Sequence, residues 1–180
     1  MITQVEEYKK LISHRLDENM KSFKLLFDMK HYGNCISIMC QELDQIMKLL
    51  FLLNRNKTER KQFMESSIES HKWFILNKEN KKEYITDDDI AKYSESLSGW
   101  DKSIYEFGLA FGHLTNSFNY GSKDPIKSMN EIYRNMLYDY IREYHNANYP
   151  KDFTLDDLIP VLPNIFDSIS LHLQSYMNEL

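Results

Sequence analysis

Between Tyr32 and Leu53 the chain is apolar over most of the circumference that a helix would present. Cys35, Ile36, Ile38, Met39, Cys40, Leu43, Ile46, Met47 and the run Leu49–Leu53 leave only a narrow polar edge. A helix apolar nearly all round has to be enclosed by other elements. The rest of the chain is poor in chain-breakers: five Gly and four Pro in 180 residues, about 5% where ordinary usage is roughly 12%. No Asn-Gly or Asp-Gly pair occurs, and no long run alternates with period two, which argues against a hairpin-rich sandwich or barrel. No internal repeat is visible. The predicted class is all-α: a single domain over residues 1–180, built as a bundle of five long helices and one or two short ones.

The companions of the central helix follow from periodicity and caps. Thr3 with Glu6 reads as a capping box, followed by Val5, Tyr8, Leu11/Ile12, Leu16, Met20, Phe23 and Phe27 at helical spacing to about Met29. Thr58 is placed to cap a third helix carrying Phe63/Met64, Ile68, His71 and Phe74/Ile75, and the charged stretch Asn77–Glu83 is expected to be a connection. Thr86 with three aspartates starts a short helix ending near Ser98-Gly99. The triple Asp invites a metal-site reading, but three consecutive residues in a first turn point in different directions, so capping is favoured. Ile104, Phe107/Gly108, Phe111, Leu114 and Phe118 mark a further helix, in which Gly108 and Gly112 leave one side bare for a turn. Each costs roughly 1 kcal/mol against Ala, so close approach of another helix or a ligand is expected there. Asp124-Pro125 is predicted to open a long helix to about Ala147, Phe153–Leu158 is another capping box with a staple, and a last helix starts near Pro163.

Net charge is −5, from 22 basic and 27 acidic residues, which gives no global footprint for nucleic acid. Charge is distributed unevenly, however. From Arg55 to Lys82 eight Lys or Arg face four Glu, whereas Asp152–Leu180 holds five acids and no Lys or Arg. The N-terminal residues lack the pattern of a signal peptide, and the longest apolar run is far too short to span a membrane. A cytoplasmic protein without a membrane segment is expected. Cys35 and Cys40 are about 140° apart on a helix and read as buried free thiols rather than a bridge or zinc site.

No His lies three or four residues from another, and no nucleophile elbow or Gly-rich phosphate loop occurs. Neither a metal nor another cofactor is indicated. A Mg²⁺-dependent all-α nucleotide pyrophosphatase would need paired acidic motifs on facing helices. Glu42 and Asp44 point to different faces, and Glu65/Glu69 lie in a Lys-rich helix. The richest polar stretch is Phe107–His145. His113, Asn116 and Tyr120 follow one face toward a loop, and Arg134, Tyr138, Arg142 and His145 form a stripe on the next helix. Arg134 and His145 are eleven residues apart, about 20° in azimuth and roughly 16 Å along the axis. The stripe reads either as the lining of a cleft, with His113, Arg134, Arg142 and His145 as candidate catalytic groups and Asn116, Tyr120 and Tyr138 as candidate ligand contacts, or as a solvated face.

The central apolar helix, the companion Phe-Gly-His113-Leu-Thr-Asn116-Ser-Phe-Asn-Tyr120 with Asp124-Pro125, and the following Arg/His helix together resemble the HEPN superfamily of α-helical bundle proteins. The resemblance covers most of the chain in helix order. It implies a homodimer, here through the Phe107–Phe118 and Pro125–His145 segments. For many members it also implies metal-independent endoribonuclease activity, with an Arg followed after four to six residues by a His. None of the five arginines here (15, 55, 60, 134, 142) has a His five to seven positions later, and Arg142 to His145 is too close. The resemblance therefore implies a non-catalytic binding or interaction module associated with nucleic-acid or nucleotide processing, with a nucleic-acid, nucleotide or protein partner. An Arg/His endoribonuclease is the alternative, and the pyrophosphatase a second one.

Overall fold

The computed structural model describes residues 3–92, 104, 105, 108, 122–145, 148, 150 and 152–180. The fold is all-α apart from one small hairpin. Its elements are α1 (Gln4–Asp28), α2 (Tyr32–Leu53), α3 (Lys57–Ile68), β1 (Phe74–Leu76), β2 (Lys82–Tyr84), α4 (Asp87–Ala91), α5 (Glu131–Tyr144), α6 (Leu155–Leu158) and α7 (Leu162–Glu179). Ile104, Tyr105 and Gly108 are helical. No described helix is long and apolar enough to cross a membrane.

α2 is the core, as its composition requires. Ile36, Met39, Leu43, Ile46, Met47, Leu49, Phe51 and Leu52 are all buried. It packs most extensively on α7 and then on α1, which in turn packs on α3. The rings of Phe23 and Phe166 stack at 4.4 Å between α1 and α7, and Phe51, Phe63 and Trp73 form a triangle of rings with centroids 5.2–5.6 Å apart. Such pairs add about 0.5–1.5 kcal/mol to their burial. Both cysteines are free and buried. Burial pushes the Cys35 thiol up to about 11 and the Cys40 thiol higher still, so neither is an accessible thiolate.

Where the chain leaves α1 and α3, the same device turns it. Lys30 and Ser70 adopt left-handed backbone (φ 61° and 60°). After α1 the amides of Lys30 and His31 bond back to the carbonyls of Phe27 and Leu26, and after α3 those of Ser70 and His71 bond to Ser67 and Ser66. These are Schellman motifs with a non-glycine residue in the left-handed position.

Local structure departs from expectation in three places. α3 begins at Lys57, capped by the Asn56 side chain accepting from the amides of Thr58 and Glu59, rather than by Thr58. It stops at Ile68 because Ser70 turns left-handed, and Phe74 and Ile75, expected on the helix, lie instead in a hairpin pairing Phe74 with Tyr84 and Leu76 with Lys82. The expected connection Asn77–Glu83 therefore contains the turn and most of β2. The turn needs no glycine: Asn77 Oδ1 accepts from the amides of Glu79 and Lys81, and Asn80 supplies the positive φ. The helix expected from Pro125 is a short 3-10 turn, Ile126–Ser128, followed by extended Met129; α5 then starts anew behind Asn130, whose side chain accepts from the Ile132 amide. Asp124 holds the break, accepting from the amides of Ile126 and Leu155. α5 ends at Tyr144.

Gly108 is where another helix comes close. A Cβ on it would lie 1.8 Å from Cys40 Sγ and 3.5 Å from Ile36 Cγ2 on α2. Gly112 is outside the described residues. Gly108→Ala is expected to destabilise by up to about 2 kcal/mol, the overpacking of about 1–3 kcal/mol less the helix-propensity gain of about 1 kcal/mol. With Cys40→Ala in the background the clash is gone, and the same substitution should become neutral or stabilising. Urea unfolding of the four proteins checks the change of sign.

Candidate functional site

Arg134, Tyr138 and Arg142 of the expected polar stripe lie on α5, with His145 at its C-terminal cap. Arg134 is half-buried and borders a shallow concavity with Lys127, Asp152 and Phe153. Arg142 points outward, 3.8 Å from Asp139 on its own helix and over the Tyr138 ring at 5.7 Å. His145 caps α5 and turns inward. Its ring meets Tyr140 edge-on at 5.0 Å, and its Nε2 is buried with no hydrogen-bond partner. Desolvation lowers its pKa, favouring the neutral imidazole. Tyr138 packs against Phe153. Among the described residues, no hydrogen bond joins Arg134, Arg142 and His145 to one another. His113, Asn116 and Tyr120 lie outside the described residues.

The carboxylates weighed for Mg²⁺ are placed apart. Glu42 is buried in α2 and accepts a short hydrogen bond from the Asn19 amide, while its Oε2 has no partner. Burial raises its pKa, opposed by Asn19 and by the charge of Arg15. Glu65 accepts from Gln4 at 3.0 Å, and Glu69 is 3.2 Å from His71. Among the described residues, no three His, Cys, Asp or Glu side chains gather in a way that could hold a metal ion.

A concavity lies where α1, α2 and α3 meet the hairpin and α4. It has a volume of about 680 Å³, within the range of about 300–1,000 Å³ usual for small-molecule sites. α1 contributes Tyr8, Ile12 and Arg15, α2 contributes Gln45 and Lys48, and the segment after α3 contributes His71, Lys72 and Trp73, with Tyr84 and Thr86 opposite. Three fixed cations and a histidine thus line it, and no Asp or Glu is among its described lining residues. In a partly enclosed site such cations are screened less than on an open surface.

The wall is held rather than merely present. Trp73 packs on Phe51 and Phe63, and its Nε1 donates to Ser67 Oγ at 2.7 Å. Ser67 donates in turn to the Phe63 carbonyl. The Ile85 amide bonds to the Trp73 carbonyl, and Gln62 Nε2 donates to the Phe74 carbonyl, tying the hairpin to the bundle. Tyr8 is buried, and its hydroxyl pKa is pushed up to about 12, so it is a neutral hydroxyl. Arg15 reaches Gln41 Oε1 at 3.3 Å. Tyr84, by contrast, is 56% exposed, its ring meeting that of Phe74 edge-on at 6.2 Å beside the cations.

Two smaller concavities adjoin. One of about 490 Å³ shares His71, Lys72 and Tyr84 and adds Phe74 and Lys82, whose ammonium lies 4.3 Å from the Phe74 ring centre. The other, about 520 Å³, shares Tyr84 and Ile85 but sets Arg55 and Lys92 against Glu83 and Asp89. Its charges balance, so it has no comparable pull on an anion.

The residue-by-residue reading of the sequence missed this site, because its cations come from three separate segments. The excess of Lys and Arg between Arg55 and Lys82 pointed to the region, and the run His71-Lys72-Trp73-Phe74 is the local signal that marks the spot: basic and aromatic side chains interleaved. Comparison of the chain with protein-family models, with curated proteins and with solved structures gives no match.

Proposed function

We propose that this chain is a HEPN-like, cytoplasmic binding module associated with nucleic-acid or nucleotide processing, acting without catalysis of its own and as a homodimer. The observation that carries the reading is the cavity of Arg15, Lys48, Lys72 and His71 beside Trp73 and Tyr84, with no Asp or Glu among its described lining residues. Cations recognise phosphate, and aromatic faces stack on bases at about 1–3 kcal/mol each. A ligand with both features, a nucleotide or a nucleic-acid strand, uses the whole lining. The dimer is supported by Ile132 and Tyr144, large and exposed on α5.

The test is calorimetric titration of the purified protein with uridine monophosphate and with an eight-residue oligouridylate, using polyphosphate as a base-free control. Saturable binding of a uridine ligand in preference to polyphosphate is expected. Absence of binding at millimolar ligand would end the reading. Sedimentation of the same sample at tens of micromolar should give a dimer; a monomer would remove that part.

One observation favours a second reading. The inward, unpartnered Nε2 of a neutral His145 suits a general base, as a metal-independent endoribonuclease requires. Cleavage of single-stranded RNA in excess chelator, abolished by His145→Ala, would establish it; no cleavage would dismiss it.

A further inference from the structure

The cavity of Arg15 and Lys48 does not end at Tyr84. Beyond it, the concavity of Phe74 and Lys82 shares His71, Lys72 and Tyr84 as a common wall. Of the two adjoining hollows, the first thus has two cations of its own, Arg15 and Lys48, and the second has one, Lys82, with a shared lysine between them and one exposed aromatic ring at the divide. A mononucleotide occupies one such hollow and leaves the other cation unused. A strand, whose phosphates recur at each nucleotide, reaches both.

Resting on the binding function proposed above, we infer that the ligand is a single-stranded nucleic-acid segment of at least two nucleotides, its backbone passing from the first hollow to the second across Lys72, with a base stacked on Tyr84. Lys82 is the distinguishing residue because it lines the second hollow and not the first. It is exposed on β2, its ammonium held over Phe74, so its removal leaves the core untouched.

The experiment measures binding of uridine monophosphate, oligouridylate octamer and thymidylate octamer to the wild-type protein and to Lys82→Ala, across a salt series. The octamers should bind at least about fivefold tighter than the monophosphate, the gain expected from one additional stacked base. Lys82→Ala should weaken octamer binding and make its dependence of log K on log salt shallower by about 0.7, one phosphate contact, while leaving monophosphate binding unchanged. Any order of the RNA and DNA octamers fits the inference, and a difference between them gives the sugar preference. Monophosphate bound as tightly as the octamers, or octamer binding indifferent to Lys82→Ala, overturns the strand and leaves the nucleotide-binding function standing. No binding by any of the three ligands overturns both.

Discussion

Replacing Lys48 and Lys72 together by Glu should lower affinity for the oligouridylate octamer at least about 100-fold. Each substitution removes a charge-assisted contact to phosphate, worth about 1.5–3 kcal/mol. Two such losses amount to two or more tenfold steps, and the new carboxylates add repulsion. The two residues come from elements distant in sequence, α2 and the segment after α3, and meet only in the cavity. Lys48 is half-buried at its rim and Lys72 exposed, so thermal unfolding should shift by no more than a surface substitution does, roughly 0.5 kcal/mol each. Anisotropy titrations at fixed salt, with melting curves alongside, read both quantities. A double variant that binds like the wild type would remove the cavity from consideration.

Phe63→Ala should be the most damaging single truncation near the site. Phe63 is fully buried and its ring meets both Phe51 and Trp73. Truncating a buried Phe costs about 3–5 kcal/mol, a large share of the stability of an ordinary domain. For a chain of this size the melting temperature should fall by roughly 10 °C. Trp73 would also lose one of the two rings that back it, so octamer affinity should fall even at temperatures where the variant remains folded. Phe63→Leu, closer in volume, should recover most of the stability. Calorimetric melting of both variants decides the point: an Ala variant melting within 2–3 °C of the wild type, about what one kcal/mol produces, would show that the ring triangle is not a core element.

How much of this was legible depended on whether the signal was local. α2 could be read because its apolar residues occupy nearly every angle of one uninterrupted stretch. The start of α1 could be read because Thr3 and Glu6 stand at the right spacing and bond as a capping box, as Thr86 does with Asp89. The end of α3 could not, because its left-handed residue is Ser70, and serine carries none of glycine's announcement of that conformation. The hairpin was hidden for a similar reason. Its strands are three residues long, too short for alternation to register, and its turn is made by Asn77 and Asn80 without Gly. Asp124 and Asn130 were ambiguous: the Asp-Pro start was visible, but the break at Met129 depends on Asp124 reaching the Leu155 amide, a contact between residues 31 positions apart. The Arg/His stripe was legible as a spacing along one helix, and Arg134, Tyr138 and Arg142 do lie on α5. Whether its members meet depends on where each side chain points: Arg142 is exposed, whereas the His145 Nε2 is buried. The cavity required Arg15 and Lys48, unremarkable cations on two helices, to be brought beside a segment far along the chain.

The left-handed Ser70 has a consequence for how such a site can change over evolutionary time. His71, Lys72 and Trp73 follow directly from that turn, so the aim of the cavity's basic and aromatic wall is set by one backbone angle at a residue that is not among those lining it. Glycine there would relieve a conformational cost of roughly 1 kcal/mol but leave the turn freer to vary; a β-branched residue would resist the angle and displace the wall. Ligand preference can therefore drift through a position remote from every contact, with the contacting side chains themselves conserved, and a comparison restricted to the lining residues would record two differently tuned sites as identical.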